Sequence, residues 1–208
     1  MALVFFLVQV FIISFSGAIQ PGPVTATAIT MGARNRWAGV LLAIGHGIIE
    51  FPLMILIILG LGAIFQKPAA QIIIGAAGGM VLLYMAYGMF RTSGNVSISQ
   101  AGARKDKPIL AGIVLTASNP YFLIWWATVG LALATDATKL GVYAFMLFAI
   151  VHWFVDLIWV TALSLASFHG TTLLGPKSQT ITLRICAAAM LLFGLFFIYG
   201  AVSALISA

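Results

Sequence analysis

His46 and Glu50 stand four residues apart, and so do His152 and Asp156. On a helix that spacing stacks the imidazole and the carboxylate of each pair one turn apart on a single face. A histidine beside a carboxylate can hold a proton, bind an ammonium group or ligate a first-row metal ion. Glu50 and Asp156 are the only two acidic residues placed inside long apolar stretches, whereas Asp106 and Asp136 read as loop residues. A charged side chain at the centre of a bilayer costs at least about 2.5 kcal/mol, so a functional role is the default expectation. The alternative is a pair that only welds helices together, and the recurrence of the pattern in both halves of the chain weighs against it.

A second feature also recurs. Gln20-Pro21-Gly22-Pro23 interrupts one apolar stretch and Ser118-Asn119-Pro120 another. Proline removes a backbone donor and clashes with the preceding turn, and it pushes the residue before it out of the α region. In lipid the freed carbonyls must find partners, so a broken helix survives only where it is buried or lines a cavity. Pro23 and Pro120 are each expected to start a half-helix whose amides and positive dipole end can face an anion. Paired breaks point to a substrate site near the membrane midplane, against the plainer alternative of two structural kinks. Gln20, Pro21, Gly22, Pro23, Asn119 and Pro120 are therefore candidate substrate-binding residues. Glu50, Asp156, His46 and His152 are candidates for proton coupling or for holding a substrate amine.

The elements that position these residues follow from composition. Of 208 residues, 62% are hydrophobic and only 7% charged, with a mean hydropathy of +1.15. A soluble domain carries about 25% charged residues, and disorder needs the opposite composition, so both classes are excluded. Residues 1–33, 68–90, 108–135 and 185–208 carry no charge, while 37–66 carry only Glu50 and 140–176 only Asp156. Each block supplies the roughly 20 apolar residues that a membrane-spanning helix needs. Spans are expected near 3–32, 37–62, 69–90, 109–134, 141–166 and 182–206. The alternation of a membrane β-barrel is missing. The fold class is an all-α polytopic membrane protein with six transmembrane helices, of which the first and fourth are broken. Ser14–Ala18 looks loosely like a signal cleavage site, but no basic segment precedes it and the apolar run resumes beyond Pro23. The single cysteine, Cys186, rules out an internal disulfide and reads as a small core residue.

Charge sets the expected orientation. The connections after spans 1, 3 and 5 hold Arg34, Arg36, Arg91, Arg104, Lys105, Lys107, Lys177 and Arg184, against Lys67 and Lys139 on the other side. Eight against two puts the first group in the cytoplasm and both termini outside. The net charge of +6 is thus a cytoplasmic collar, and no soluble basic domain exists to bind nucleic acid. The basic connector 91–108 leaves three spans in 1–90 and three in 109–208. An odd number per half inverts the second half relative to the first, the inverted repeat of many secondary transporters. Gly39, Ala43, His46 and Glu50 form one stripe, Gly75 and Gly79 another, and Gly194 sits in a third small-residue region. These read as helix-packing faces, with a homodimer as a further use. Trp125, Trp126, Trp153 and Trp159 suit interface anchors and pocket walls equally.

These residues resemble the lysine exporter (LysE/RhtB) superfamily of amino-acid and solute efflux proteins. Pro21-Gly22-Pro23 followed by Gly32, Arg34, Gly39, Gly45, Glu50 and Leu59-Gly60 is similar to the family's first half, where Asp is commoner at the Glu50 position. Ser118-Asn119-Pro120 with its aromatic sequel is similar to the fourth-span Asn-Pro motif. The resemblance implies six helices, export, energy from the proton gradient and a place in the cytoplasmic membrane of a prokaryote. His46 and the His152–Asp156 pair depart from the best-known amino-acid exporters, and related branches export divalent metals.

The leading expectation is a proton-coupled exporter of amino acids or similar small zwitterions, with no cofactor. Amides at the breaks take the substrate carboxylate, and Glu50 and Asp156 take the amino group or a proton. Buried carboxyl groups in general can load and release protons near neutral pH, because a low dielectric disfavours the charged form. The rival is a divalent-metal exporter using His46, Glu50, His152 and Asp156 as ligands. An intramembrane enzyme lacks every motif that would carry it: no His-Glu-x-x-His, no Gly-x-Ser-x-Gly and no phosphate loop occurs.

Overall fold

A computed structural model describes residues 1–65, 67–92, 107–173 and 175–206. Those residues are almost wholly helical, because a backbone in lipid must satisfy its own hydrogen bonds. The first apolar stretch is two helices, α1 (Ala2–Ala18) and α2 (Pro23–Gly32), bent by 75° at the proline motif. After a turn in which Asn35 accepts the Trp37 amide, α3 (Ala38–Leu56) runs through Glu50 into a π-helical segment, Ile57–Leu61. Gly60 has φ +114° there, a left-handed value that a side chain resists, and α4 (Gly62–Phe65) follows. Next come α5 (Pro68–Thr92), α6 (Pro108–Ala117) and α7 (Pro120–Trp125). A second π-helical segment, Trp126–Gly130, leads into α8 (Leu131–Lys139). The axis turns by 59° between Pro108–Ala117 and Tyr121–Lys139, so the second proline motif is also a bend. The chain ends in two long helices, α9 (Val142–Leu173) and α10 (Gly175–Ile206).

Among the described residues four helices are long and apolar enough to cross a membrane, and the number rises to six when each bent pair counts as one span. The outer surface agrees with a membrane setting. Phe5, Leu59, Leu192 and Phe196 are each more than 60% exposed, an apolar exterior that only lipid would solvate. The chain is an all-α polytopic membrane protein.

Three expectations about connections need correction or limits. Asp136 is not in a loop: α8 continues past residue 134 because Leu133, Ala134 and Ala137 on its inner face are buried. Its outer face carries Asp136, which accepts from Lys139 at 2.9 Å. Lys177 and Arg184 fall within α10 rather than in a loop, since that helix begins well before its apolar part. Most of the 91–108 connector, with Arg104, Lys105 and Asp106, lies outside the described residues.

The helices that matter most for the site are held by bare backbone contacts. α3 packs between α6 and α9. Gly45 and Gly112 face each other across the α3–α6 contact. A methyl group on Gly45 would strike the Ile109 carbonyl, and one on Gly112 the Leu42 carbonyl. On the α9 side, a methyl on Gly39 would come within 2.6 Å of the Thr161 Cα. Small residues thus let α3 approach both neighbours closely, which holds the Glu50 stripe facing elements from the other half of the chain. Gly75 and Gly79 pack on α10 at Phe197, Ile198 and Gly194, so that stripe is occupied within the chain.

Candidate functional site

Glu50 is 1% exposed, and Oε1 of its carboxylate is a meeting point for three ring nitrogens. His46 Nε2 lies 3.0 Å from it, His152 Nε2 3.1 Å and Trp126 Nε1 3.3 Å. Each histidine is held from its other ring nitrogen by a hydroxyl. His46 Nδ1 lies 2.9 Å from Thr116 Oγ1 on α6, and His152 Nδ1 lies 2.7 Å from Ser14 Oγ on α1. With Glu50 ionised both Nε2 atoms donate to it, so a neutral imidazole takes its second hydrogen bond by accepting from the hydroxyl. Asp156 completes the group, its Oδ2 standing 3.7 Å from His46 Nε2 and 3.6 Å from His152 Nε2. The four residues singled out by spacing therefore form one cluster, in which Glu50 is enclosed and Asp156 stands at its edge with 18% of its side chain exposed.

Aromatic rings fix the imidazoles from the sides. Trp125 stacks on His152 with centroids 4.9 Å apart, Trp126 meets it edge-on at 5.2 Å, and Phe122 meets His46 edge-on at 5.3 Å. The π-helical turn contributes here, since a methyl on Gly130 would press into the Trp126 ring. The absence of a side chain at 130 leaves room for the indole that donates to Glu50. Trp153 donates instead to the Ala43 carbonyl at 3.0 Å, and Trp159 packs edge-on against Phe15.

The cluster forms one wall of a cavity of about 110 Å³. A water needs roughly 10–15 Å³ by this measure, so the space suits several waters or one small solute. Gln20, Pro21, Gly22 and Pro23 from the first break line it, and Asn119 from the second. Pro120 begins α7. The two breaks differ in one respect. Asn119 Oδ1 accepts the Tyr121 amide at 3.1 Å, so the second break caps itself. Among the described residues no side chain caps α2, whose first turn borders the cavity at Val24 and Thr25. At the second break the Tyr121 amide, expected to be open, is thus already taken. Two buried acceptors on the cavity, Glu50 Oε2 and Gln20 Oε1, have no hydrogen-bond partner among the described residues. His46, Glu50 and Asp156 also offer ligand atoms all within 4.8 Å of one another, a spacing that a metal ion could bridge.

Ser14, Thr116 and the role of Trp126 escape sequence reasoning. Ser14 and Thr116 precede their proline motifs in the two broken spans, but serine and threonine there usually return a hydrogen bond to their own helix. Nothing local marks these two as partners of distant histidines.

A bundle of membrane-spanning helices, two of them bent at a solute-sized cavity with one polar wall, is the architecture of a membrane transporter. The family model described as LysE type translocator matches residues 15–201, and the chain belongs to that family. It is a membrane translocator of the class that effluxes amino acids or similar solutes. No curated protein and no solved structure matches the chain significantly.

Proposed function

We propose that this translocator exports amino acids or similar small zwitterions across the cytoplasmic membrane of a prokaryote in exchange for protons. Residues 1–90 and 109–208 act as two inverted three-helix repeats that close around the cavity, with both termini outside. The observation that carries this reading is the convergence of the first break and the His–carboxylate cluster on one cavity. The uncapped start of α2 suits a substrate carboxylate, because its amides and dipole favour an anion. Glu50 Oε2 and the Asp156 carboxylate suit the ammonium group or an exchanged proton. Asn119 serves the second break as a cap that holds α7 in place.

The convergence of His46, Glu50 and Asp156 supports a second reading, in which the cargo is a divalent metal ion held by these residues together with His152. One experiment separates the two. The purified protein in liposomes is offered labelled amino acids and divalent metal ions, with and without a pH gradient. Amino-acid uptake that rises with the gradient supports the first reading. Metal uptake without amino-acid uptake supports the second.

A further inference from the structure

The cavity has two unlike walls. One is polar and comes from α3 and α9: His46, Glu50, His152 and Asp156. The other comes from α5, α7 and α10, and it presents Leu82, Tyr121, Met190 and Phe193. Leu82 and Met190 are 2% and 1% exposed and belong to a packed cluster with Ala86, backed by Met89 and Phe197. The Tyr121 and Phe193 rings lie 6.1 Å apart, tilted by 51°. This wall therefore has a solid backing and a set shape. Among the described residues, no Lys or Arg lines the cavity.

We propose that the Leu82–Tyr121–Met190–Phe193 wall is a side-chain pocket that selects amino acids with an apolar side chain of medium size. The proposal rests on the reading of this cavity as the amino-acid export site and adds to it which side chain is taken. A substrate whose ammonium group meets Glu50 or Asp156 and whose carboxylate meets the start of α2 turns its side chain to what remains, the apolar wall. An anionic side chain there would lose its hydration with no cation to replace it, and it would share a small cavity with two carboxylates. A cationic or hydroxyl side chain turned toward Leu82, Met190 and Phe193 would leave water for a carbon surface, because Gln20, Glu50 and Asp156 line other parts of the cavity. Leucine or methionine would fill the space, and the flexible Met190 thioether can adjust to either. Glycine would leave it empty. Pockets of this kind discriminate by about 10- to 200-fold per methylene gained or lost, so the preference should be graded rather than absolute.

The test is uptake of individually labelled leucine, methionine, phenylalanine, serine, glutamate and lysine by the purified protein in liposomes. Leucine and methionine should be transported at least about tenfold more efficiently, as kcat/KM, than serine, glutamate or lysine. Leu82→Ala enlarges the pocket and should move the preference several-fold from leucine toward phenylalanine. Comparable uptake of serine, glutamate or lysine by the unaltered protein overturns the pocket while leaving amino-acid export standing. Uptake of no amino acid at all overturns both. The wild-type panel decides even if Leu82→Ala fails to fold.

Discussion

Ser14 and His152 are 138 residues apart in the chain and meet at 2.7 Å, with Ser14 Oγ against Nδ1 of the ring whose Nε2 touches Glu50. Thr116 and His46 repeat the arrangement from the opposite half. The result is one hydrogen-bonded run, Ser14–His152–Glu50–His46–Thr116, that ties the two broken spans to each other through a single carboxylate oxygen. Removing a hydroxyl from such a buried run costs about 1–3 kcal/mol. Ser14→Ala and Thr116→Val should each slow transport about tenfold where about 1.4 kcal/mol of that cost falls on the transport barrier. Thr116→Ser keeps the hydroxyl and should retain most activity. Initial rates in liposomes, with the amount of inserted protein held equal, provide the comparison. Full activity in both hydroxyl-free variants would reduce the run to a passive contact.

Glu50 and Asp156 should respond differently to neutralisation. Glu50→Gln replaces a carboxylate that receives three ring N–H groups, so it disturbs both histidines and Trp126. Asp156→Asn alters only the edge of the cluster. Accumulation driven by a pH gradient should be lost in both, because each loses a titrating group. Exchange of labelled for unlabelled substrate without a gradient should persist in Asp156→Asn and be strongly reduced in Glu50→Gln. Gradient-driven accumulation surviving in both variants would remove the carboxylates from the coupling step.

Trp126 offers a conservative probe of how Glu50 is held. Trp126→Phe keeps an aromatic ring and removes the N–H that lies 3.3 Å from Glu50. Trp126→Ala also empties the volume of a fully buried indole, which costs about 3–5 kcal/mol. Thermal unfolding in detergent should therefore shift little for Trp126→Phe and by many degrees for Trp126→Ala. The transport rate should fall in both.

The Gly45–Gly112 contact should tolerate no added volume. Gly45→Val or Gly112→Val would drive a side chain into the carbonyl of the facing helix and push α3 from α6. Overpacking of this kind costs about 1–3 kcal/mol. Gly88→Ala, at a position with open space around the added methyl, should be close to neutral. Melting temperatures of the three variants test the contrast.

Membrane orientation is decided by labelling. In a Cys186→Ala background, Gln100→Cys should resist an impermeant thiol reagent applied to intact cells and react once the membrane is opened, if the eight-to-two split of Lys and Arg sets the orientation. Reaction in intact cells would reverse the orientation.

Hydrophobicity and proline largely determine the elements. Charge-free blocks long enough to span a bilayer leave the chain no other secondary structure, and the bends at residues 20–23 and 118–120 are local consequences of proline. The His46–Glu50 and His152–Asp156 pairs are legible for the same reason, since both members of each pair lie on one helix and spacing alone sets their faces. What joins the pairs is not local. That both imidazoles share one oxygen of Glu50, and that each is held by a hydroxyl from the other half, depends on how closely α1, α3, α6 and α9 approach. The same holds for the apolar wall, because Leu82, Met190 and Phe193 are ordinary apolar residues of α5 and α10 until those helices close against α7. Even the self-capping of the second break turns on one side-chain rotamer, that of Asn119. Periodicity along a helix names a face but not its neighbour. The neighbour is chosen by which small residues allow two backbones to touch, a property of pairs of helices that no single stretch of sequence contains.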